Sequence, residues 1–235
     1  MTDPTGTAPR AAPLISRRQF ARGIGAGAAA LIAARFFEPG ALADELERRA
    51  QTPPLTEGPF YPDRLPLDTD NDLLVINDAL TPAVGEVTHL GGRILDARGD
   101  PVKDALIEIW QVDARGAYLH SRSANAEKRD ANFQGYGRFL TGSRGEYRFR
   151  TIKPVAYPGR TPHIHVKVSV KDREELTTQI HVRGDPGNAR DGVLRGIQDP
   201  KLRELVMADF VPMKDSNVGE LSASFDVVLG YTPKA

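Results

Sequence analysis

The stretch "EVTHLGGRILDARGDPVKDALIEIWQV", from Glu86 to Val112, decides the fold class of this chain. Its first ten and last eight residues are rich in β-branched and other apolar side chains, which favour β-strands. Between them, Asp96–Pro101 collects Asp, Gly and Pro, the residues that favour turns. The stretch therefore predicts two strands joined by a turn.

The same alternation of strands and turns continues toward the C-terminus. In "GEYRFRTI", Tyr147 and Phe149 share one face and two arginines share the other, as expected of a strand. Further strands are predicted for residues 163–170, 176–182 and 223–231, and only residues 199–210 have a helical pattern. Many short strands joined by turns predict an all-β fold, an antiparallel β-sandwich with long loops and little helix.

Composition excludes several classes of function. The 235 residues include 31 basic and 31 acidic side chains, so no basic excess points to nucleic acid as a partner. Cysteine is absent, which excludes disulfides, thiolate metal sites and cysteine nucleophiles together. Any metal ion must therefore be held by His, Tyr, Asp or Glu.

The N-terminus is predicted to be an export signal, not part of the fold. Paired arginines at Arg17 and Arg18 precede an apolar run, Ile24–Ala34, and an A-x-A site at Ala41–Ala43. This order is typical of signals for the twin-arginine (Tat) route, which predicts a periplasmic or extracellular protein. The apolar run is shorter than the about 20 residues that cross a bilayer, so the mature protein is not expected to insert stably in a membrane. An amphipathic helix or an uncleaved anchor is the alternative.

Three segments follow from these patterns. Residues 1–43 are predicted to be the export signal, and residues 44–85 an N-terminal arm. Within that arm, "TPPLTEGPFYP" (Thr52–Pro62) holds too many Pro and Gly residues for regular structure, so we expect it to lie against the rest of the chain. Residues 86–235 are predicted to form the β-sandwich catalytic domain.

The stretch "GRTPHIHVKV" (Gly159–Val168) places two histidines one residue apart in a predicted strand. Successive side chains on a strand point to opposite faces, so His163 and His165 share a face, with Cβ atoms roughly 7 Å apart. A metal ion between the two imidazoles could bind both. The alternative is the solvated polar face of an ordinary strand, and the pair alone leaves both open.

Two tyrosines lie at the ends of predicted strands. Tyr118 follows a strand, and Tyr157 lies six residues before His163 in "KPVAYPGRTP", a segment too rich in proline for a sheet interior. Packing is the alternative role for each tyrosine. Two neutral imidazoles with two phenolates would suit a hard trivalent cation such as Fe(III) better than Zn(II).

The chain resembles the intradiol ring-cleavage dioxygenases, the protocatechuate 3,4-dioxygenase type especially. The resemblance rests on "TEGPFYP", "LGGRILDARGDPVKDALIEIWQVDARGAY", "GYGRFLTGSRGEYRFRTIKPVAYPGRTPHIHVKV" and "LTTQIHVRGD", in the family's order. It implies a prealbumin-like sandwich that holds Fe(3+) as cofactor. The ligands it implies are Tyr118, Tyr157, His163 and His165. It also implies that Arg160 stabilises charge on the substrate, that Tyr157 takes part in catalysis and that Gln179 lines the pocket.

The activity that this resemblance implies is cleavage of a catechol between its two hydroxyl-bearing carbons. O2 is the second substrate, and the product is a muconate-type dicarboxylic acid. A homo-oligomer is a possible assembly, since no feature of the sequence points to a distinct partner subunit. The rival class is a non-enzymatic prealbumin-like β-sandwich that binds or supports other molecules. That class gives no reason for two tyrosines and an H-x-H motif in register.

Overall fold

The structure is a computed structural model that describes residues 49–77 and 80–232. The predicted export signal, residues 1–43, lies outside the described residues. Within the described part of the chain, no helix has the length and apolar character needed to cross a membrane. The boundaries predicted between signal, arm and catalytic domain stay predictions.

The described part of the chain forms ten strands in two five-stranded sheets. The first sheet contains β1 (Val87–Leu95), β4 (Glu146–Ile152), β8 (Phe210–Pro212), β9 (Leu221–Ser224) and β10 (Val227–Val228). The second has the order β3 (Tyr136–Leu140), β2 (Ala105–Trp110), β5 (His163–Val170), β6 (Arg173–Val182) and β7 (Met207–Ala208). Among residues 49–77 and 80–232, helices are limited to α1 (Gly192–Gly196), α2 (Pro200–Glu204) and 3-10 turns at Ala126–Lys128 and Pro186–Ala189. The predicted all-β class with little helix is confirmed.

The sheets are mixed, whereas the sequence predicted antiparallel ones. Strand β1 pairs antiparallel with β4 but parallel with β9 and β10, and β6 pairs parallel with β7. Parallel pairing needs a long connection in place of a hairpin. These pairs join strands that are distant in sequence, and a pattern of local turns does not predict them.

The helix predicted for residues 199–210 is only five residues long. The helix ends at Glu204, and the chain then becomes extended. The backbone oxygen of Val206 accepts a hydrogen bond from His181 N at 2.8 Å, and the backbone oxygen of Ala208 accepts one from Arg183 N at 2.9 Å. Both Val206 and Ala208 are buried. Pairing with the edge of β6 therefore outweighs the helical propensity of this segment.

The two sheets pack face to face around one apolar core. Alternate residues of each strand point into it, and the buried set includes Leu90, Ile94, Phe149, Ile107, Ile109, Ile164, Val166 and Val168. Because side chains alternate, the inward Ile164 and Val166 place His163 and His165 on the outer face of the second sheet. The candidate metal site is therefore outside the sandwich core.

The arm covers this outer face. Leu55 N donates to the backbone oxygen of Thr177 at 2.9 Å, and the Gln179 side chain donates to that of Thr56 at 2.8 Å. Farther along, the Tyr61 hydroxyl donates to Glu108 at 2.7 Å. The covering explains why polar residues on this face, His163 and His165 among them, are buried.

Candidate metal centre

Four predicted side chains converge on one point. The Tyr118 hydroxyl oxygen lies 3.0 Å from His165 Nε2 and 3.3 Å from His163 Nε2, and the two Nε2 atoms are 3.2 Å apart. The Tyr157 ring lies beside them, its centroid 5.4 Å from that of Tyr118 and 5.5 Å from that of His163. The structure thus brings together all four residues predicted as ligands.

The spacing and proton content of this cluster fit a bound cation. Three donor atoms 3.0–3.3 Å apart match the edges of a coordination polyhedron with bonds of about 2 Å. His163 Nδ1 lies 2.7 Å from the backbone oxygen of Thr161, which only accepts, so Nδ1 carries the proton and Nε2 presents a lone pair to the cluster. Lone pairs facing one another repel unless a proton or a cation lies between them.

The electrostatics favour neutral imidazoles. Burial, together with the positive charge of Arg160, lowers the pKa of His163 to about 4. Burial and the neighbouring His163 hold the pKa of His165 well below its usual range. Burial also raises the pKa of the Tyr118 phenol far above its usual range, with Tyr157 adding to the effect. The histidines are therefore ready to bind a metal near neutral pH, whereas Tyr118 needs a cation to lose its proton.

In the described part of the chain, the tyrosines supply the oxygen donors beside His163 and His165. Among residues 49–77 and 80–232, no three His, Asp or Glu side chains group in an arrangement that could hold a metal ion. The two histidines therefore need donors of another type, and the two phenol oxygens supply them. This donor set of two nitrogens and two hard oxygens suits iron(III).

A tight turn sets the position of Tyr157. Residues 157–160 read Y-P-G-R, and Arg160 N donates to the Tyr157 backbone oxygen at 2.9 Å. Proline in second place and Gly159 in third, with φ of +83°, are what a type II turn requires. The turn places Tyr157 and Arg160 side by side at the entry to β5.

A buried aspartate shapes the loop that carries Tyr118. Asp113 Oδ1 accepts hydrogen bonds from Arg115 N at 2.8 Å and from Ala117 N at 3.0 Å. Gly116, with φ of +78°, closes the turn. The loop then directs the Tyr118 ring toward the two histidines.

Strand pairing and stacking orient His165. Trp110 lies directly opposite it in the β2–β5 register, and the two rings stack with centroids 4.8 Å apart and planes 7° from parallel. His165 Nδ1 is buried, and in the described part of the chain it has no hydrogen-bond partner. Stacking on the Trp110 indole therefore orients the His165 ring, whereas a hydrogen bond to Thr161 orients the His163 ring.

Arg160 is held by two side chains. Its Nε donates to Asp191 Oδ2 at 2.8 Å, and its Nη2 donates to Gln179 Oε1 at 2.6 Å. Gln179 pairs directly with His165 across β5 and β6, so the guanidinium lies next to the cluster. Arg160 and Gln179, both predicted as pocket residues, are thus brought together beside the four candidate ligands.

A family model described as Dioxygenase (Dioxygenase_C) matches residues 56–230. The protocatechuate 3,4-dioxygenase beta chain of Burkholderia cepacia is 36% identical over 154 residues, which cover 62% of this chain and 65% of the relative.

The chain belongs to the intradiol dioxygenase family.

Solved structures agree with this membership. The catechol 1,2-dioxygenase of Acinetobacter sp. ADP1, in a form inhibited by bound mercury, is 27% identical with a TM-score of 0.59, over 83% of this chain and 68% of that one. The dioxygenase domain of a carbohydrate-binding fusion from Streptomyces sp. SirexAA-E is 28% identical with a TM-score of 0.58, over 78% of this chain and all of that one. The chain spans less than two thirds of the length of the first curated relatives that it matches.

Three residues next to the candidate site were not predicted as site residues from the sequence. Phe60, from the arm, stacks on Tyr118 with ring centroids 5.0 Å apart. Trp110 and Asp191 complete the surroundings of His165 and Arg160. Asp191 is followed by a short helix, a pattern that indicates an N-cap. Its contact with Arg160, 31 residues away in sequence, has no local signal.

The other histidines are outside the candidate ligand set. His181 is buried opposite His163 in the strand register, with ring centroids 5.6 Å apart, and neither of its ring nitrogens has a hydrogen-bond partner among the described residues. His89 lies 3.4 Å from Glu220, and His120 lies in a loop where its ring contacts Phe60.

Proposed function

We propose that this chain is a non-haem Fe(III) dioxygenase that cleaves a catechol between its two hydroxyl-bearing carbons with O2. The product would be a muconate-type dicarboxylic acid. The observation that carries the proposal is the convergence of the Tyr118 oxygen and the Nε2 atoms of His163 and His165 within 3.0–3.3 Å of one another, with Tyr157 alongside. Family membership supports the same activity.

The donor set supports iron(III). Tyr118, Tyr157, His163 and His165 would hold the ion, and the two phenolates would balance two of its three charges. Bound there, iron(III) supplies the Lewis acidity that draws a catechol in as its anion and makes the ring reactive toward O2.

The side chains of the chain itself have distinct tasks. Tyr157 lies on a turn and is partly exposed, so its phenol oxygen would be the one best placed to accept a proton from the substrate hydroxyl. Arg160 carries a fixed positive charge next to the ligands and favours negative charge on the bound ring. Gln179 holds that guanidinium, and the Phe60 ring packed on Tyr118 shields the site from water.

A side-by-side measurement of turnover tests the proposal. Steady-state rates with catechol, protocatechuate and hydroxyquinol, each with product identified by mass, should show intradiol cleavage of at least one of them. The comparison also identifies whether a ring carboxylate is needed. Iron-loaded protein that consumed O2 with none of the three would contradict the proposal and favour the non-enzymatic module.

We also propose that the chain is exported by the Tat route to the periplasm or the medium, on the strength of its paired arginines and A-x-A site. Replacing both arginines (Arg17→Lys with Arg18→Lys) should stop translocation in a Tat-competent host. A double variant that still reached the periplasm, cleaved after Ala43, would rule out this route.

A further inference from the structure

Asp191 is fully buried, and its two carboxylate oxygens have different partners. Oδ1 accepts hydrogen bonds from Val193 N at 2.9 Å and Leu194 N at 3.1 Å, and so caps α1. Oδ2 accepts from Arg160 Nε at 2.8 Å and Thr161 N at 3.0 Å. One oxygen therefore fixes the carboxylate to a helix, and the other connects that helix to the segment entering β5.

This arrangement restricts the Arg160 guanidinium from two sides. Asp191 binds its Nε, and Gln179 binds its Nη2 at 2.6 Å. The side chain of Asp191 is 0% exposed and that of Arg160 is 15% exposed, so water competes little for the ion pair. A charge-assisted bond in such surroundings defines the direction of the guanidinium plane.

We propose that Asp191 is a positioning residue for the reaction, which acts by holding Arg160 in the orientation that favours negative charge on the bound substrate. This inference rests on the proposed function. The anchor is a capped helix, and a displacement of about 1 Å at a group that stabilises charge is enough to slow a reaction strongly. Within the described residues, no hydrogen bond joins Asp191 directly to the four candidate ligands. Asp191 also accepts from Thr161 N, and the Thr161 oxygen bonds His163 Nδ1, so the test must separate the route through Arg160 from the route through Thr161.

The asymmetry of the carboxylate provides a sharp variant, Asp191→Asn. Asparagine is as good an N-cap as aspartate, so its oxygen can keep the bonds to Val193 N and Leu194 N. Its NH2 group would then face Arg160 Nε and Thr161 N, which are both donors. The variant should therefore keep the helix cap while it repels the guanidinium.

A double-mutant cycle separates this role from a structural one. Asp191→Asn should lower kcat/KM roughly tenfold or more, mainly through kcat, because Arg160 acts on charge that develops during the reaction. In the Arg160→Ala background, Asp191→Asn should lower kcat/KM by less than about twofold, since the guanidinium that Asp191 would position is absent. Equal losses in both backgrounds, or no loss in the wild type, would overturn the inference.

A matched control is available in the neighbouring helix. Asp199 caps α2, which is also five residues long, by accepting from Lys201 N at 2.8 Å, and it is exposed. Asp199→Asn should leave kcat/KM within about twofold of wild type. If Asp191→Asn fails to fold, Asp191→Ser keeps a capping oxygen but lacks one that reaches Arg160. Asp191→Ser should then give the same result in the double-mutant cycle with Arg160→Ala.

A crystal structure of Asp191→Asn gives a readout that does not depend on activity. The inference requires the Arg160 guanidinium to move by about 1 Å or more, while α1 stays in place. A guanidinium that kept its position would overturn it. An inactive wild-type chain would refute the proposed function, and the same structure would still decide whether Asp191 positions Arg160.

Discussion

At the scale of single residues, the candidate metal centre is built on His163 and His165, whose Nε2 atoms lie 3.2 Å apart. His163 and His165 were predictable as a pair because strand geometry puts them on one face. The two tyrosines needed the family resemblance, since a lone tyrosine usually packs in a core. The contact between Asp191 and Arg160 left no signal, because the two residues are 31 positions apart in sequence.

The roles of Arg160 and His163 separate under substitution. Arg160→Ala should keep iron while kcat/KM falls by roughly 100-fold, or about 2.7 kcal/mol of transition-state stabilisation. His163→Ala should lose iron itself, because three ligands bind it less firmly than four. Iron content measured beside turnover for both variants checks this. Normal turnover in Arg160→Ala would limit Arg160 to a structural role, as the partner of the buried Asp191 carboxylate.

At the scale of elements, the arm covers the outer face of the second sheet and so encloses the candidate site. Tyr61 donates a hydrogen bond to Glu108 on β2 at 2.7 Å, and its ring lies edge-on to Trp110 with centroids 5.0 Å apart. Lys167 lies over the same tyrosine ring, 4.4 Å from its centroid. Proline and glycine predicted an irregular arm, but its place over the second sheet depends on these distant partners.

The hydrogen bond from Tyr61 in the arm to Glu108 should contribute measurably to the free energy of unfolding. Tyr61→Phe should lower the free energy of unfolding by about 1–2 kcal/mol, because it removes one hydrogen-bond donor to the buried Glu108 carboxylate. Tyr136 would remain as the second donor. Tyr231→Phe is the matched control, since the Tyr231 hydroxyl is buried and has no hydrogen-bond partner among the described residues. Urea unfolding of both variants checks the prediction, and equal effects would show that the Tyr61 bond contributes nothing specific.

Two further elements show where the sequence was insufficient. Residues 199–210 have a helical pattern, yet Met207 and Ala208 pair with β6 and Phe210 pairs with β9. The sheet edges satisfy backbone groups that an isolated helix end leaves free. The parallel pairs of β1 with β9 and β10 form between strands more than 100 residues apart. Local turn chemistry predicts hairpins and contains no information on such pairings.

At the scale of the whole molecule, acid should weaken the fold through Asp191. Burial alone would raise the pKa of Asp191, but hydrogen bonds from Arg160 and from backbone amides outweigh it and lower the pKa to about 2. A carboxyl whose folded pKa lies below its unfolded value stabilises the fold above about pH 4, and that contribution is lost as the pH falls toward 2. It amounts to about 2 kcal/mol.

The Asp191→Asn variant tests this window. Its unfolding free energy should fall less steeply than that of the wild type between pH 5 and pH 2, since it has no carboxyl to protonate at this position. Thermal or urea unfolding at several pH values in this range gives the two slopes. Parallel slopes would mean that Asp191 does not carry the acid sensitivity.

We expect two tyrosines and two histidines, Tyr118, Tyr157, His163 and His165, to hold one iron(III). Metal analysis of the purified chain, expressed with iron supplied, tests it most directly when combined with the visible spectrum. The expected result is about one iron per chain and a broad visible band from tyrosinate-to-iron charge transfer, which makes the protein red to burgundy. A colourless protein that contained zinc or no metal would contradict it.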